Sequence, residues 1–318
     1  MEETTCFTFS KLNASTYKVV HDDALKELPF IYVKVYAKYL VLIDTGCGVD
    51  LARDKTVQVK AIRQYIEANL AALGELTYEC PETKQAVPKQ FLVFITHTHY
   101  DHIGGLEEFS KDSPVFISGY SQEYVLKDLG CNSLCCAFGM KTPEFTVSHW
   151  IEHNKPVIHD GFDLGLVGLQ TPGHTPDELA LYDVAEHVLF AGDTIYETLP
   201  VYIIETSDLG DYDRSVRFML EFVKGKNAEL AAAAAPGTTP ARVTAACGHI
   251  TDTADCEKLL EETIECLWAT LRGESKVREK TVLREHPLTI YFNETDNVGF
   301  MCIDTKLDAG RKHFGISL

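Results

Sequence analysis

The stretch Thr96-His97-Thr98-His99-Tyr100-Asp101-His102, followed at once by Gly104-Gly105, decides how this chain is read. Four side chains able to bind a metal fall within six positions. Burying three imidazoles and a carboxylate together without a cation would leave polar groups short of partners. Neutral imidazole and carboxylate are natural ligands for a divalent ion, so the stretch is read as a metal site. It follows Phe91–Ile95, a short continuous apolar run typical of a buried strand, which places the ligands at a strand end.

Further along the chain, one local pattern recurs: an apolar strand, then a glycine-flanked turn carrying a single His or Asp. His174 sits in Thr171-Pro172-Gly173-His174-Thr175, after Leu164–Gln170. Asp193 sits in Ala191-Gly192-Asp193-Thr194, after Val188–Ala191. His249 sits in Cys247-Gly248-His249, after Val243–Cys247. Glycine lets the backbone turn sharply and approach an ion closely. Strand ends hold ligating groups more rigidly than mobile loops do.

These motifs resemble the metallo-β-lactamase superfamily, on the hydrolase branch that includes glyoxalase II and the N-acyl homoserine lactonases. Leu42-Ile43-Asp44-Thr45-Gly46 matches the first family motif and Thr96–His102 the second. His174, Asp193 and His249 match the third, fourth and fifth. The resemblance runs from about Phe30 to about Ile303. It implies an α/β fold, the αβ/βα four-layer sandwich, with two mixed sheets face to face and helices outside. It also implies two metal ions: one held by His97, His99 and His174, the other by Asp101, His102 and His249, with Asp193 bridging. Asp44 is implied to contact the site through hydrogen bonds rather than through metal.

The donor chemistry suits zinc, and carboxylates in the set also admit iron, manganese or cobalt. Two ions a few ångströms apart clamp a water and lower its pKa toward neutrality, making it a nucleophile. They also polarise a substrate carbonyl. Asp101 is a candidate to orient that nucleophile or pass on its proton as well as to bind metal. Tyr196 lies three positions after Asp193. The homoserine lactonases carry a tyrosine at this spacing, where its phenol can donate to the substrate carbonyl or leaving group; some thioesterase-like relatives share it.

The chain has 318 residues, 45% apolar and 24% charged, with a net charge of −18. No Lys/Arg cluster offsets that acidity, which argues against nucleic acid as partner or substrate. No apolar run is long enough for a bilayer, and the N-terminus lacks signal-peptide character, so the expectation is a cytoplasmic protein without membrane attachment. Ten cysteines show no disulfide-scaffold spacing. Cys131, Cys135 and Cys136 cluster without completing a zinc-finger pattern.

Coarse patterning predicts strands within Phe30–Asp44 and at Val115–Ser118, Val157–Ile158, Leu179–Tyr182, Ile290–Phe292 and Phe300–Ile303. It predicts helices at Thr56–Leu73, Gly119–Leu129, Ser215–Val223 and Cys256–Leu271, and a surface linker at Ala231–Ala235. A single domain over residues 1–318 is expected. The irregular excursion at 130–155, with Phe138, Met140 and Trp150, is a candidate lid, pocket lining or homodimer interface. His21, His149, His153, His159, His187, His286 and His313 are read as structural.

The leading expectation is hydrolysis of a small cyclic ester or cyclic amide. An acyl thioester of the acyl-CoA type is the alternative substrate. A non-catalytic metal-dependent binding protein is the reading from another class, and it predicts a missing ligand where none is missing.

Overall fold

The computed structural model describes residues 3–317, and the counts below refer to those residues. The chain divides into two compact units, Met1–Ile151 and Glu152–Leu318.

In the first unit a seven-stranded sheet runs in the order Phe7–Lys11, Thr16–His21, Phe30–Val35, Tyr39–Ile43, Gln90–Phe94, Val115–Ser118, His149–Ile151. The first four strands pair antiparallel and the last three join in parallel. Tyr39–Ile43 is buried at every position, as a central strand covered on both faces must be. The helix Ile62–Ala72 turns Ile62, Ile66 and Leu70 inward, a spacing of one helical turn. They join the buried cluster of Val33, Leu42 and Val93.

The second unit holds two sheets. The larger has the order Lys155–His159, Phe162–Gln170, Leu179–Asp183, Val188–Phe190, Thr244–Ala246, Ala254–Asp255. The smaller has the order Pro200–Ile203, Gly299–Ile303, His286–Phe292, Lys276–Leu283. Helices Leu209–Ala233 and Cys256–Leu271 begin at aspartate caps. The Asp208 and Asp255 side chains accept from the backbone N–H of Asp211 and Lys258. A last helix, Asp304–His313, buries Leu307. Among the described residues no helix is long and apolar enough to cross a membrane.

Several sequence expectations are corrected here. The helix expected from Thr56 starts only at Ile62, because the N–H groups of Gln58 and Val59 are taken by the Thr4 carbonyl and Val59 bridges to Thr5. Gly119–Leu129 is not one helix. It is helical over Gln122–Leu126, is broken where Lys127 is extended and Asp128 left-handed (φ 52°), and turns helical again only from Leu129. The alanine run is not a surface linker at its start. Ala231–Ala233 closes a 25-residue helix, as the strong helix propensity of alanine favours. The helix stops at Ala234, just before the residue that precedes Pro236. The apolar span Phe30–Asp44 holds strands as expected, two of them, Phe30–Val35 and Tyr39–Ile43, paired antiparallel.

The excursion 130–155 opens with short helical turns at Leu129–Asn132 and Cys135–Phe138 and then joins the first sheet at His149–Ile151. Phe138 lies on the Tyr100 ring (4.7 Å between centroids), and Trp150 packs on the core. Of the three, Met140 lines a cavity of about 140 Å³, beside Cys47, Val49 and Pro143.

Candidate metal centre

The first unit carries the His-rich stretch on a turn and a short helix, Tyr100–Ile103, directly beyond the strand Gln90–Phe94. His97 Nε2 and His99 Nδ1 converge to 3.0 Å. His102 Nε2 lies 3.7 Å from Asp101 Oδ2. Asp44 holds this arrangement from behind. One carboxylate oxygen accepts from Thr96 N–H at 2.8 Å. The other accepts from Thr96 Oγ1 and from His102 Nδ1, both at 2.8 Å. Donating Nδ1–H to Asp44 fixes the His102 tautomer and leaves the Nε2 lone pair for a ligand. Asp44 has φ 62°, a left-handed conformation that aspartate tolerates better than most residues.

The loop after Asp44 is bound to the ligand helix by its backbone. Thr45 N–H and Thr45 Oγ1 both donate to the His102 carbonyl at 2.8 Å. A Cβ on Gly104 would sit 2.2 Å from the Cys47 carbonyl carbon, and one on Gly48 would sit 2.4 Å from the Gly104 oxygen. Both glycines are there so that two backbones can touch. His21 completes this support. It is fully buried, and its Nδ1 accepts from Cys47 N–H at 3.2 Å. Burial pushes its pKa down to about 4, so it is neutral when it does this.

In the second unit Asp193 stands between two histidines. Its Oδ2 is 3.9 Å from His174 Nε2 and 3.6 Å from His249 Nε2. His174 Nδ1 donates to the Tyr202 carbonyl at 2.8 Å, again leaving Nε2 for a ligand. Ser207 Oγ donates to the His174 carbonyl and Ser215 Oγ to that of Pro172, both at 2.7 Å, so the long helix and its entry pin the His174 turn. Gly173 packs against Tyr212, where a Cβ would meet the Tyr212 Cα at 2.4 Å. The His249 turn is tied to the Asp193 turn by Gly248 N–H, which donates to the Gly192 carbonyl at 2.7 Å.

Glu178 was not picked out from the sequence. It is fully buried, and its Oε1 accepts the Asp193 N–H at 3.0 Å while Oε2 accepts from Thr175 Oγ1 at 3.4 Å. One carboxylate therefore joins the His174 turn to the Asp193 turn. The sequence offered only the placing of Asp177-Glu178 between the His174 turn and the apolar run that starts at Leu179.

Tyr196 is 3% exposed, with its ring edge-on to His249 at 5.9 Å. Burial, and next the charge of Asp193, push its phenol well above the usual tyrosine range. It therefore keeps its proton at any physiological pH.

Two donors of one tetrahedral ion, each about 2.1 Å from it, lie about 3.4 Å apart. Within the units the donor pairs stand 3.0, 3.6, 3.7 and 3.9 Å apart, which brackets that value. The residues present fit divalent ions, and His97, His99, Asp101, His102, His174, Asp193 and His249 are all buried candidate donors.

Residues 91–232 match the metallo-beta-lactamase superfamily model. That span of the chain is similar to the metallo-beta-lactamase superfamily. The matched span contains the His-rich stretch, His174, Asp193 and Tyr196; Asp44 and His249 lie outside it. The superfamily is one of metallo-hydrolases, and the match together with these His and Asp groups implies divalent metal ions.

Three similar proteins frame the family. A protein of Aspergillus versicolor, avaE, whose name proposes it as a transcription factor, is 28% identical over 96% of this chain and 89% of its own length. The acyl-coenzyme A thioesterase MBLAC2 of Gallus gallus is 28% identical over 56% of this chain and 65% of its own length. The solved metallo-beta-lactamase from Pontibacter korlensis aligns with a TM-score of 0.53 at 15% identity, covering 82% of this chain and 99% of that one. That likeness shows the metallo-beta-lactamase fold.

The remaining histidines have structural partners rather than places in the donor groups. His149 stacks on Phe116, His153 accepts from Gln170 N–H, and His187 faces the Tyr182 hydroxyl. All ten cysteines are free thiols, and none joins a candidate metal group among the described residues.

Proposed function

We propose that this metallo-beta-lactamase-fold protein is a two-ion hydrolase that opens a small cyclic ester or cyclic amide. Its metal donors are His97, His99, Asp101, His102, His174, Asp193 and His249, with zinc the ion best suited to the imidazoles. When bound, divalent ions supply an activated water and polarise the scissile carbonyl. The chain's own residues do the rest. Asp101 accepts the proton that the attacking water gives up. Tyr196 Oη donates a proton to the leaving oxygen or nitrogen as the bond breaks. Asp44 and Glu178 hold the His102 and Asp193 groups in place.

The observation that carries the choice of substrate is the buried, neutral Tyr196 phenol beside Asp193 and His249. An alkoxide or amide is a poor leaving group and needs a proton donor, whereas a thiolate leaves without one. The second reading, an acyl thioester, is favoured by the similarity to the acyl-coenzyme A thioesterase. The transcription role in the name of the Aspergillus relative sits poorly with a net charge of −18, since phosphate contact needs basic side chains.

The deciding experiment compares matched lactone, lactam and acyl-CoA substrates with the wild type and with Tyr196→Phe. A cyclic-ester or cyclic-amide substrate should lose roughly 10²-fold in kcat on removal of the phenol. Equal turnover by the variant, or turnover of the thioester alone, would remove the cyclic reading. Treatment with a chelator should abolish all activity, and added zinc should restore it.

A further inference from the structure

Cys131 and Cys136 are the two exposed thiols among the ten cysteines, and only four residues separate them. The backbone between them doubles back. Asp128, left-handed, starts the short helical turn Leu129–Asn132. Leu134, also left-handed (φ 65°), turns the chain into Cys135–Phe138. Its N–H donates to the Cys131 carbonyl at 3.0 Å, so the reversal lies directly beside Cys131. The Cys131 thiol meets the Cys136 sulfur first and the Asp128 carboxylate next. Both contacts hold its proton and push it up to about 11. Two accessible thiols in contact are the starting point of a disulfide.

The segment between these cysteines also supports the candidate metal donors. Ser133 is fully buried, and its carbonyl accepts the Tyr100 N–H at 2.9 Å. Tyr100 opens the helix Tyr100–Ile103, which carries Asp101 and His102. Cys135 packs with Tyr100 and Cys47 in one buried cluster. Asn132, by contrast, is pinned on the far side. Its Nδ2 donates to the Tyr124 and Lys127 carbonyls at 2.7 and 2.9 Å, and its carbonyl accepts from the Tyr124 hydroxyl at 2.9 Å. Drawing the two sulfurs together to a bond of about 2 Å therefore displaces Ser133 and Cys135 rather than Asn132. The Ser133–Tyr100 hydrogen bond carries that displacement to the donor helix.

We propose that Cys131 and Cys136 form a reversible disulfide in response to a hydroperoxide, and that closing it loosens the hold of Asp101 and His102 on a metal ion. With the proton held on Cys131, Cys136 meets the oxidant first. Its sulfur attacks one peroxide oxygen: an S–O bond forms, the O–O bond breaks, and the released hydroxide leaves as water with the Cys136 proton. Cys136 is now a sulfenic acid. Asp128 then takes the Cys131 proton and the Cys131 sulfur attacks that of Cys136. The S–S bond forms, the S–O bond breaks, and the hydroxide recovers the proton from Asp128 as a second water. The two sulfurs together lose two electrons, and the peroxide gains them.

The test treats the full, zinc-loaded chain with one equivalent of hydrogen peroxide, alkylates the remaining thiols and maps the digested protein by mass spectrometry. The wild type should show a peptide pair joined through Cys131 and Cys136, reversed by dithiothreitol. Zinc affinity, measured by competition with a chelator, should fall about tenfold on oxidation and return on reduction. No candidate donor is a cysteine, so oxidation of a ligand thiol does not explain such a loss. Cys131→Ser should stop at a Cys136 sulfenic acid, captured by dimedone, and Cys136→Ser should form neither product. Both should keep their zinc affinity under peroxide, with the melting temperature of the reduced protein unchanged. Cys80→Ser should behave as the wild type. A wild type without the Cys131–Cys136 bond would overturn the proposal. So would an oxidised wild type of undiminished zinc affinity, or an equal loss of affinity in Cys131→Ser.

Discussion

Asp44 and His102 are joined by a 2.8 Å hydrogen bond from Nδ1 to Oδ2, although 58 residues separate them in sequence. The same Asp44 oxygen also accepts from Thr96, immediately before His97. One buried carboxylate thus sets both the tautomer of one metal donor and the start of the segment that carries the others.

Replacing Asp44 by Asn keeps a residue that tolerates the left-handed backbone but removes the charge that holds the Nδ1 proton. Zinc affinity of chelator-treated protein, followed by titration calorimetry, should fall about 10- to 100-fold, as it does when such outer partners are lost. An unchanged affinity would show that Asp44 serves the turn alone.

Glu178→Ala strips the acceptor from the buried Asp193 N–H. Urea unfolding of the metal-free protein should show a loss of about 1–3 kcal/mol. Glu178→Gln retains a carbonyl acceptor and should lose less. If the two variants are equally stable, the Glu178 bonds do not support the Asp193 turn.

Gly104 and Gly225 give a paired test of backbone approach. A Cβ at Gly104 runs into the Cys47 carbonyl carbon, whereas one at Gly225 meets nothing within 4 Å. Gly104→Ala should cost about 1–3 kcal/mol or more, since only backbone can yield. Gly225→Ala, in the exposed middle of the long helix, should stabilise by about 0.5–1 kcal/mol. Melting temperatures moving in the same direction for both would contradict this account.

His21 is neutral and buried when folded, with its pKa lowered from 6.5 to about 4 by burial. Between those values the unfolded chain binds the proton and the folded chain does not. Stability is therefore complete above pH 6.5 and is lost as pH falls toward about 4, by about 3 kcal/mol from this group. His21→Gln should flatten the slope of unfolding free energy against pH across that window. A slope identical to the wild type would place the acid sensitivity elsewhere.

Much of the fold was legible because the chain signals its strand ends so plainly. Val115–Ser118 and Cys256–Leu271 have the bounds that apolar patterning gave them. Every glycine-flanked turn carrying a predicted donor lies just beyond a strand end. What stayed hidden depends on partners distant in sequence. The helix start at Ile62 is set by Thr4, and the edge strand Lys276–Leu283 lacks the alternation of a half-buried strand because both its faces are exposed. Glu178 escaped notice for the same reason. Its role exists only where Leu179–Asp183 and Val188–Phe190 pair and bring it to the Asp193 amide. Tyr196 was flagged by its spacing, but its burial beside His249, which pushes the phenol further above the usual tyrosine range, is a feature of the folded chain.

The hydrogen bonds from His102 Nδ1 to Asp44 and from His174 Nδ1 to the Tyr202 carbonyl, with the Ser207 and Ser215 bonds behind them, tie each donor ring or its turn to the scaffold through protein groups alone. Such ties limit the ordering that binding a cation would require of its ligands. Amide exchange within each unit should change little between the empty and the loaded protein.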